Sequence, residues 1–487
     1  MFNSITEAVF HYETTQPDKL CLADDTSSVT YRQYGEKIRK YAGAFAAAGV
    51  EKDHKIVVEA SQTIEYLAME LAIQLLGAVF VPVEHNCAPE KIRNFADRAG
   101  AKAVITIKEN EYATDLVFTY ASLLEKQQAA EPFVAEKLPE KTDISEILFS
   151  TGTTGKEKGI VITHGNNIAL AENVMYGVEM EKDNVEMIPS PMNHSHGLRR
   201  YYANMYNGCT VVLLGSVMNA RLFFANFEKY GVNSVDLVPS ALSVLLKLSK
   251  DKFGEYADTI RYIQFGAAPM MEADSQKICS LLPKTRLYNF YGSTESGCIA
   301  IYNFNRPDSK KSCIGKPAHN AKIVVVDDDR KEIVSHKNNT GLLASYGGMN
   351  MAGYWQDEEE TAKVLINGAV YSNDVAYYDE DGDIILLGRK GDVINVAGNK
   401  VSPEEIENAV KKIEGVADCG VIPVADAMKG QVPKLFVEMS RGFTFDRVAI
   451  RSHIAANMEP YKIPVYIVEI DKIPRSYNGK LLRKELK

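Results

Sequence analysis

Cysteine is scarce in this chain and never paired in sequence. The seven thiols, Cys21, Cys87, Cys209, Cys279, Cys298, Cys313 and Cys419, are scattered, odd in number and without any CxxC spacing. They read as reduced cysteines of a cytoplasmic protein rather than as a disulfide framework. The nine histidines form no HExxH or other metal-ligand pair, which leaves a zinc site without support. No basic block is present either: 55 Lys and Arg against 64 Asp and Glu give a net charge of -9, which argues against nucleic acid as the main partner. Long apolar runs are also missing. The longest, Leu67 to Val83, is broken by Glu70 and Gln74, so no transmembrane segment is expected. The N-terminal "MFNSITEAVFHYETT" lacks the basic and then apolar order of a secretion signal.

What is present is the composition of a globular protein, with 46% hydrophobic and 24% charged residues in 487. That length favours two or more domains. Helix-like stretches such as "YGEKIRKYAGAFAAAG" alternate with short β-branched runs such as "KIVVEA", "AVFVPV" and "KAVITIK", the pattern of parallel α/β layers. Sites in such folds gather at the carboxyl ends of strands. From Ala321 the texture changes to short strands between Asp and Gly turns, which predicts a β-rich subdomain. Near Arg389 a small α+β domain is expected to begin, with a helix opened by Ser402 as N-cap, Pro403 at the first position and Glu405 completing a capping box.

The densest chemical signal is "ILFSTGTTGKEKGIVITH", Ile147 to His164. The P-loop spacing GxxxxGK[ST] fails, because Glu157 and Ile160 stand where the second glycine is required. GxGxxG is absent as well. What remains is a loop from Ser150 to Gly159 whose hydroxyls and amides suit phosphates, with Lys156 or Lys158 to neutralise them. Taken alone, it is equally a Gly/Thr hairpin between two strands.

Its companions decide between these readings. "STGTTGKEKG" resembles the phosphate-binding signature of the adenylate-forming superfamily, which includes acyl- and aryl-CoA synthetases, peptide-synthetase adenylation domains and luciferases. "PMNHSHGL", "FGAAPM", "YNFYGSTESG", "GLLASYGGMNMAGYW", "VYSND", "GRKGD" and "IPRSYNGKLLRKELK" follow in that family's order as far as the C-terminus. The resemblance implies an α/β fold with a large multi-layer N-terminal domain, residues 1–388, and a small mobile C-terminal domain, residues 389–487.

It also implies roles. Ser150, Thr151, Gly152, Thr153, Thr154, Gly155 and Lys158 would wrap the ATP phosphates. Gly266, Ala267 and Ala268 would line the adenine pocket with Asn289, and Tyr291 would stack on the base. Thr294 would bond the α-phosphate, Glu295 would hold Mg²⁺, and Asp374 and Arg389 would take the ribose. His194 would lie beside the acid, and Lys480 would bridge its carboxylate and the α-phosphate during adenylation. After domain rotation, a thiol of coenzyme A would attack the acyl adenylate and release AMP.

Three departures stand out. Glu157 replaces a loop proline, Asn373 replaces a glycine and is chosen for its tolerance of positive φ, and Gly391 occupies the interdomain hinge, where it frees rotation. The segment after His194 carries no carboxylate to pair an α-amino group, so an amino-acid substrate is disfavoured. Arg199 and Arg200 would instead meet a second carboxylate or a CoA phosphate. Three alternatives stay open: transfer to the phosphopantetheine of a separate carrier protein, a luciferase-like oxygenase that adenylates and then oxidises, and a non-catalytic nucleotide sensor.

Overall fold

The structure is a computed structural model and describes residues 2–151, 157–268, 270–475 and 481–486, without the side chain of Thr151. The β-branched runs become parallel strands because hydrophobic cover meets them on both faces. In Lys55–Glu59, Ile56 and Val58 face one core and Val57 another, the alternation of a strand buried on each side. That strand lies between Val79–Val83 and Ala101–Thr106, parallel to both, in a seven-stranded sheet. The antiparallel pair Ile144–Thr151 and Glu157–Thr163 extends this sheet, so the hairpin reading of the glycine-rich stretch holds for its flanks.

A second, fourteen-stranded sheet runs parallel through Leu20–Ala23, Thr210–Leu213, Val185–Ile188, Ser234–Leu237, Tyr262–Phe265 and Arg286–Ser293. It turns antiparallel at Gly297–Asn303. Helices Ile5–Thr15, Tyr31–Ala47, Ile64–Leu75, His164–Gly177 and Ser195–Asn207 fill the space between the sheets and share one core with them. The apolar run from Leu67 is therefore a buried helix followed by a strand.

The β-rich stretch is joined edge-on to the large sheet rather than standing apart. Cys313–Pro317 pairs with Gly297–Asn303 on one side and Ile384–Arg389 on the other. A third sheet of five strands lies wholly within Ile394–Glu469, with its own core under helices Pro403–Val410 and Arg447–Asn457. The expected capping box is corrected here. Ser402 is the N-cap and Pro403 opens the helix, but the Ser402 side chain makes no cap hydrogen bond. Glu405 instead accepts from Lys462 Nζ at 2.6 Å, because a cationic partner outbids a neutral backbone donor.

Candidate active site

The strand Arg286–Ser293 ends at the carboxyl edge of the parallel run and turns back through Thr294, Glu295 and Ser296. Tyr291 Oη donates to Asp374 Oδ2 at 2.5 Å, and Arg389 Nε lies 3.1 Å from Asp374 Oδ1. Asp374 and Arg389 are direct register partners on adjacent strands. Burial, then the Asp374 charge, pushes the Tyr291 phenol far above its ordinary range, which keeps it a hydrogen-bond donor. Three residues separated by nearly a hundred positions thus form one contact.

Beyond them, Tyr354 Oη donates to Glu295 Oε1 at 3.0 Å. Lys158 Nζ sits 4.9 Å over the Tyr354 ring and pairs with Glu360, holding that carboxyl down to about 2. Lys158 is therefore already engaged by a carboxylate. Ser150 faces Lys158 in the hairpin register. The Thr151 side chain, Gly152, Thr153, Thr154 and Gly155 lie outside the described residues, as does Lys480.

At the end of Tyr262–Phe265, Gly266 is buried, and a Cβ there would lie 2.7 Å from His196 Cε1. Glycine is required because the imidazole occupies that space. Ala267 has φ 68°, a strained conformation costing about 1–3 kcal/mol and characteristic of binding sites. Ala268 follows, and Asn289 sits opposite Phe265 on the neighbouring strand.

His194 is exposed at the N-cap of Ser195–Asn207, and Ser195 Oγ lies 3.2 Å from Thr294 Oγ1. The helix N-terminus, which favours anions, is thus beside the Thr294 turn. Arg199 and Arg200 diverge, because successive helical residues project about 100° apart. Arg199 lines a small cavity with Ser195, Leu198 and Met349. Its Nη2 donates to the carbonyls of Ser293 at 3.0 Å and Thr294 at 3.2 Å. Burial lowers its guanidinium to about 10, still charged at neutral pH. Arg200 is 2% exposed, its Nε is 3.3 Å from Asp236 Oδ1, and its guanidinium carbon lies 3.5 Å from the Phe290 ring centre.

Asn373 is also corrected. It sits in the extended strand Ala369–Tyr378 without positive φ, and its carbonyl accepts from Lys390 N–H at 2.7 Å. The pleat needs no special residue there.

Sequence reading missed His196, Asp236, Tyr354 and Glu360. A signal for two of them was available. His196, Arg200 and Asn204 recur every four residues, a polar stripe on one helix face, and "SVDL" carries a charge inside a buried strand. Among the described residues, the only cluster of three metal-type ligands, Asp379, Asp381 and Asp383, lies elsewhere. Lys310 Nζ occupies it at 2.6–2.8 Å.

Residues 9–355 match the sequence profile of the AMP-binding enzyme family, and residues 405–480 match that of the AMP-binding enzyme C-terminal domain. The chain belongs to the AMP-binding enzyme family. Among curated relatives of this enzyme, the 2-succinylbenzoate–CoA ligase of Geobacillus kaustophilus is 28% identical over 97% of this chain and 95% of its own. The 4-coumarate–CoA ligase-like 1 protein of Arabidopsis thaliana is 27% identical over 94% and 89%. The fold is that of ATP-bound MatB from Rhodopseudomonas palustris, with TM-score 0.87 and 21% identity over 99% and 98% of the two chains. It is equally that of the o-succinylbenzoate CoA synthetase of Bacillus subtilis bound to its acyl-adenylate intermediate, with TM-score 0.84 and 22% identity over 99% and 97%. This AMP-binding enzyme is an AMP-forming acid–thiol ligase of the acyl-CoA synthetase type. No helix among the described residues is long and apolar enough to cross a membrane.

Proposed function

We propose that this chain activates a small to medium carboxylic acid with ATP, releases pyrophosphate, and passes the acyl group from AMP to the thiol of coenzyme A. The observation that carries the residue assignment is the Tyr291–Asp374–Arg389 contact, one strand turn away from Thr294 and Glu295. Asp374 takes the ribose hydroxyls with Arg389 beside it, while Tyr291 stacks on an adenine bounded by Gly266, Ala267, Ala268 and Asn289. Thr294 bonds the α-phosphate. The loop from Ser150 through Thr151, Gly152, Thr153, Thr154 and Gly155 wraps the outer phosphates, joined by Lys158 when it releases Glu360.

Mg²⁺ is held by one or two carboxylates plus phosphate oxygens in such sites, and a single Glu295 anchored by Tyr354 fits that demand. When bound, the ion neutralises charge on the phosphates. His194 lies beside the acid carboxylate, and Lys480, carried by residues 389–487, balances the developing charge during adenylation. The division at residues 388 and 389 is supported by a third sheet that begins at Ile394 and has its own core. Seven free cysteines support a reducing cytoplasmic setting.

The test is pyrophosphate release from ATP and Mg²⁺ across a panel of acids, with and without CoA. Sustained release needing both acid and CoA is expected, and Asp374→Ala should raise the KM for ATP by roughly tenfold or more, as loss of a charged hydrogen-bond acceptor does. A single-turnover burst that CoA does not relieve would replace CoA with a carrier protein, and ATP binding without release would favour a sensor.

A further inference from the structure

The strand Gly353–Tyr354 lies antiparallel to Glu157–Thr163, with Tyr354 opposite Ile160, and the helix Glu358–Val364 follows it directly. Two contacts fix that helix to its strand. Tyr354 N–H donates to Thr361 Oγ1 at 2.8 Å, and Glu360 N–H donates to the Asp357 side chain at the N-cap at 3.1 Å. Glu360, 202 positions after Lys158, is thereby brought to the lysine that stands where the glycine-rich hairpin returns to its sheet.

The two carboxylate oxygens of Glu360 have different partners. Oε2 accepts from Lys158 Nζ, and Oε1 accepts from Lys363 Nζ at 2.7 Å, within the same helix. A carboxylate that loses Lys158 therefore keeps a cation and avoids the penalty of an unpaired charge. Lys158 is the partner able to move. It carries its charge on a flexible four-carbon stem, and a cavity of about 160 Å³ opens beside it, lined by Tyr354, Trp355 and Asp357. Its ammonium lies over the Tyr354 ring, whose hydroxyl donates to Glu295. One aromatic ring thus separates the cation from the turn assigned to the phosphates.

Resting on the adenylation reading above, we propose that Glu360 is a positioning residue that holds Lys158 back until the outer phosphates of ATP displace it. The β- and γ-phosphates and the Glu360 carboxylate compete for one cation. AMP carries only the α-phosphate and leaves the pair closed. Glu360 therefore sets how tightly the site holds ATP relative to AMP, and it recaptures Lys158 as pyrophosphate leaves.

The experiment titrates the full chain with ATP and with AMP, in Mg²⁺ and without acid, and records each Kd by calorimetry. Glu360→Gln should lower the Kd for ATP by roughly threefold to tenfold, as removal of a competing, partly buried ion pair does, and leave the Kd for AMP unchanged. Glu360→Ala should repeat this, and in both variants pyrophosphate should inhibit turnover more strongly. Glu359→Gln removes the same charge one residue earlier, where Lys363 is the partner. It should change ATP binding by less than about twofold, because an exposed charge is screened. In a Lys158→Met background, Glu360→Gln should have no further effect. A merely structural role for Glu360 would move ATP and AMP together, and that result overturns the proposal. So does an unchanged or raised Kd for ATP in Glu360→Gln, an equal shift in Glu359→Gln, or the same shift with and without Lys158. Lys158→Met separates the two readings. Weaker ATP binding keeps Lys158 among the phosphate groups whatever Glu360 does, and unchanged ATP binding overturns that assignment together with the proposal.

Discussion

Arg199 shows how much a single side chain's direction matters. Its two hydrogen bonds to the carbonyls of Ser293 and Thr294 brace the turn carrying Thr294 and Glu295 from the helix side. Hydrogen bonds to a charged group contribute about 1.5–3 kcal/mol, so Arg199→Ala should lower kcat by roughly tenfold to a hundredfold. Steady-state kinetics checks this, and an unchanged kcat would mean that these two hydrogen bonds do not hold the turn in its working position. The neighbouring Arg200 has a different task because a helix separates adjacent side chains in angle. The pair "RR" was legible in sequence, but the angle between its members mattered only once the helix had neighbours. Tyr202 makes a similar point: its hydroxyl bridges Glu70 Oε1 and Glu146 Oε2. One phenolic proton cannot serve two carboxylates, so one of the carboxyls must itself be protonated.

At the scale of elements, the proposed switch between the two half-reactions turns on the link between Arg389 and the strand Ile394–Val396. Gly391 does not have a left-handed backbone, and a Cβ there would meet nothing within 4 Å. In this arrangement any residue fits, and the proposed hinge would give the glycine its use in rotation. Gly391→Pro fixes φ near −65° and should block thiol transfer while sparing adenylation. Acid-dependent pyrophosphate release in a single turnover, set against acyl-thioester formation, measures the two halves. Equal loss of both would remove the hinge role. The strands themselves were readable because β-branched runs with period-two burial have few other uses, as Lys55–Glu59 shows. The capping box at Ser402 was misread because Lys462, 57 residues further on, claims Glu405.

For the whole molecule, buried ionisable groups make stability depend on pH. Glu146 is raised to about 7, chiefly by burial, so the folded state holds a proton that the unfolded chain releases above its ordinary carboxyl range. That stabilisation is present below pH 4.5 and is lost as pH rises towards 7, amounting to roughly 3 kcal/mol. His164 has the opposite sign: burial lowers it to about 4, and its contribution is lost as pH falls below 6.5. The clean measurement is therefore a difference. Between pH 5 and pH 8 the unfolding midpoint of Glu146→Gln should fall less than that of wild type. Parallel pH profiles would mean that Glu146 does not titrate in this window.

The sequence by itself determined the layered α/β architecture and the adenylating chemistry. Apolar periodicity fixes which faces must be buried, and the motifs from Ser150 through Tyr291 to Asp374 stand in the order in which the proposed phosphate and ribose contacts need them. Only the tertiary structure decided which of these groups are engaged and with whom. Lys158 is held by Glu360, Arg199 by two carbonyls, and Arg200 by an aspartate on a distant strand, because hydrogen-bond and charge pairing depend on ångström distances that linear spacing does not encode.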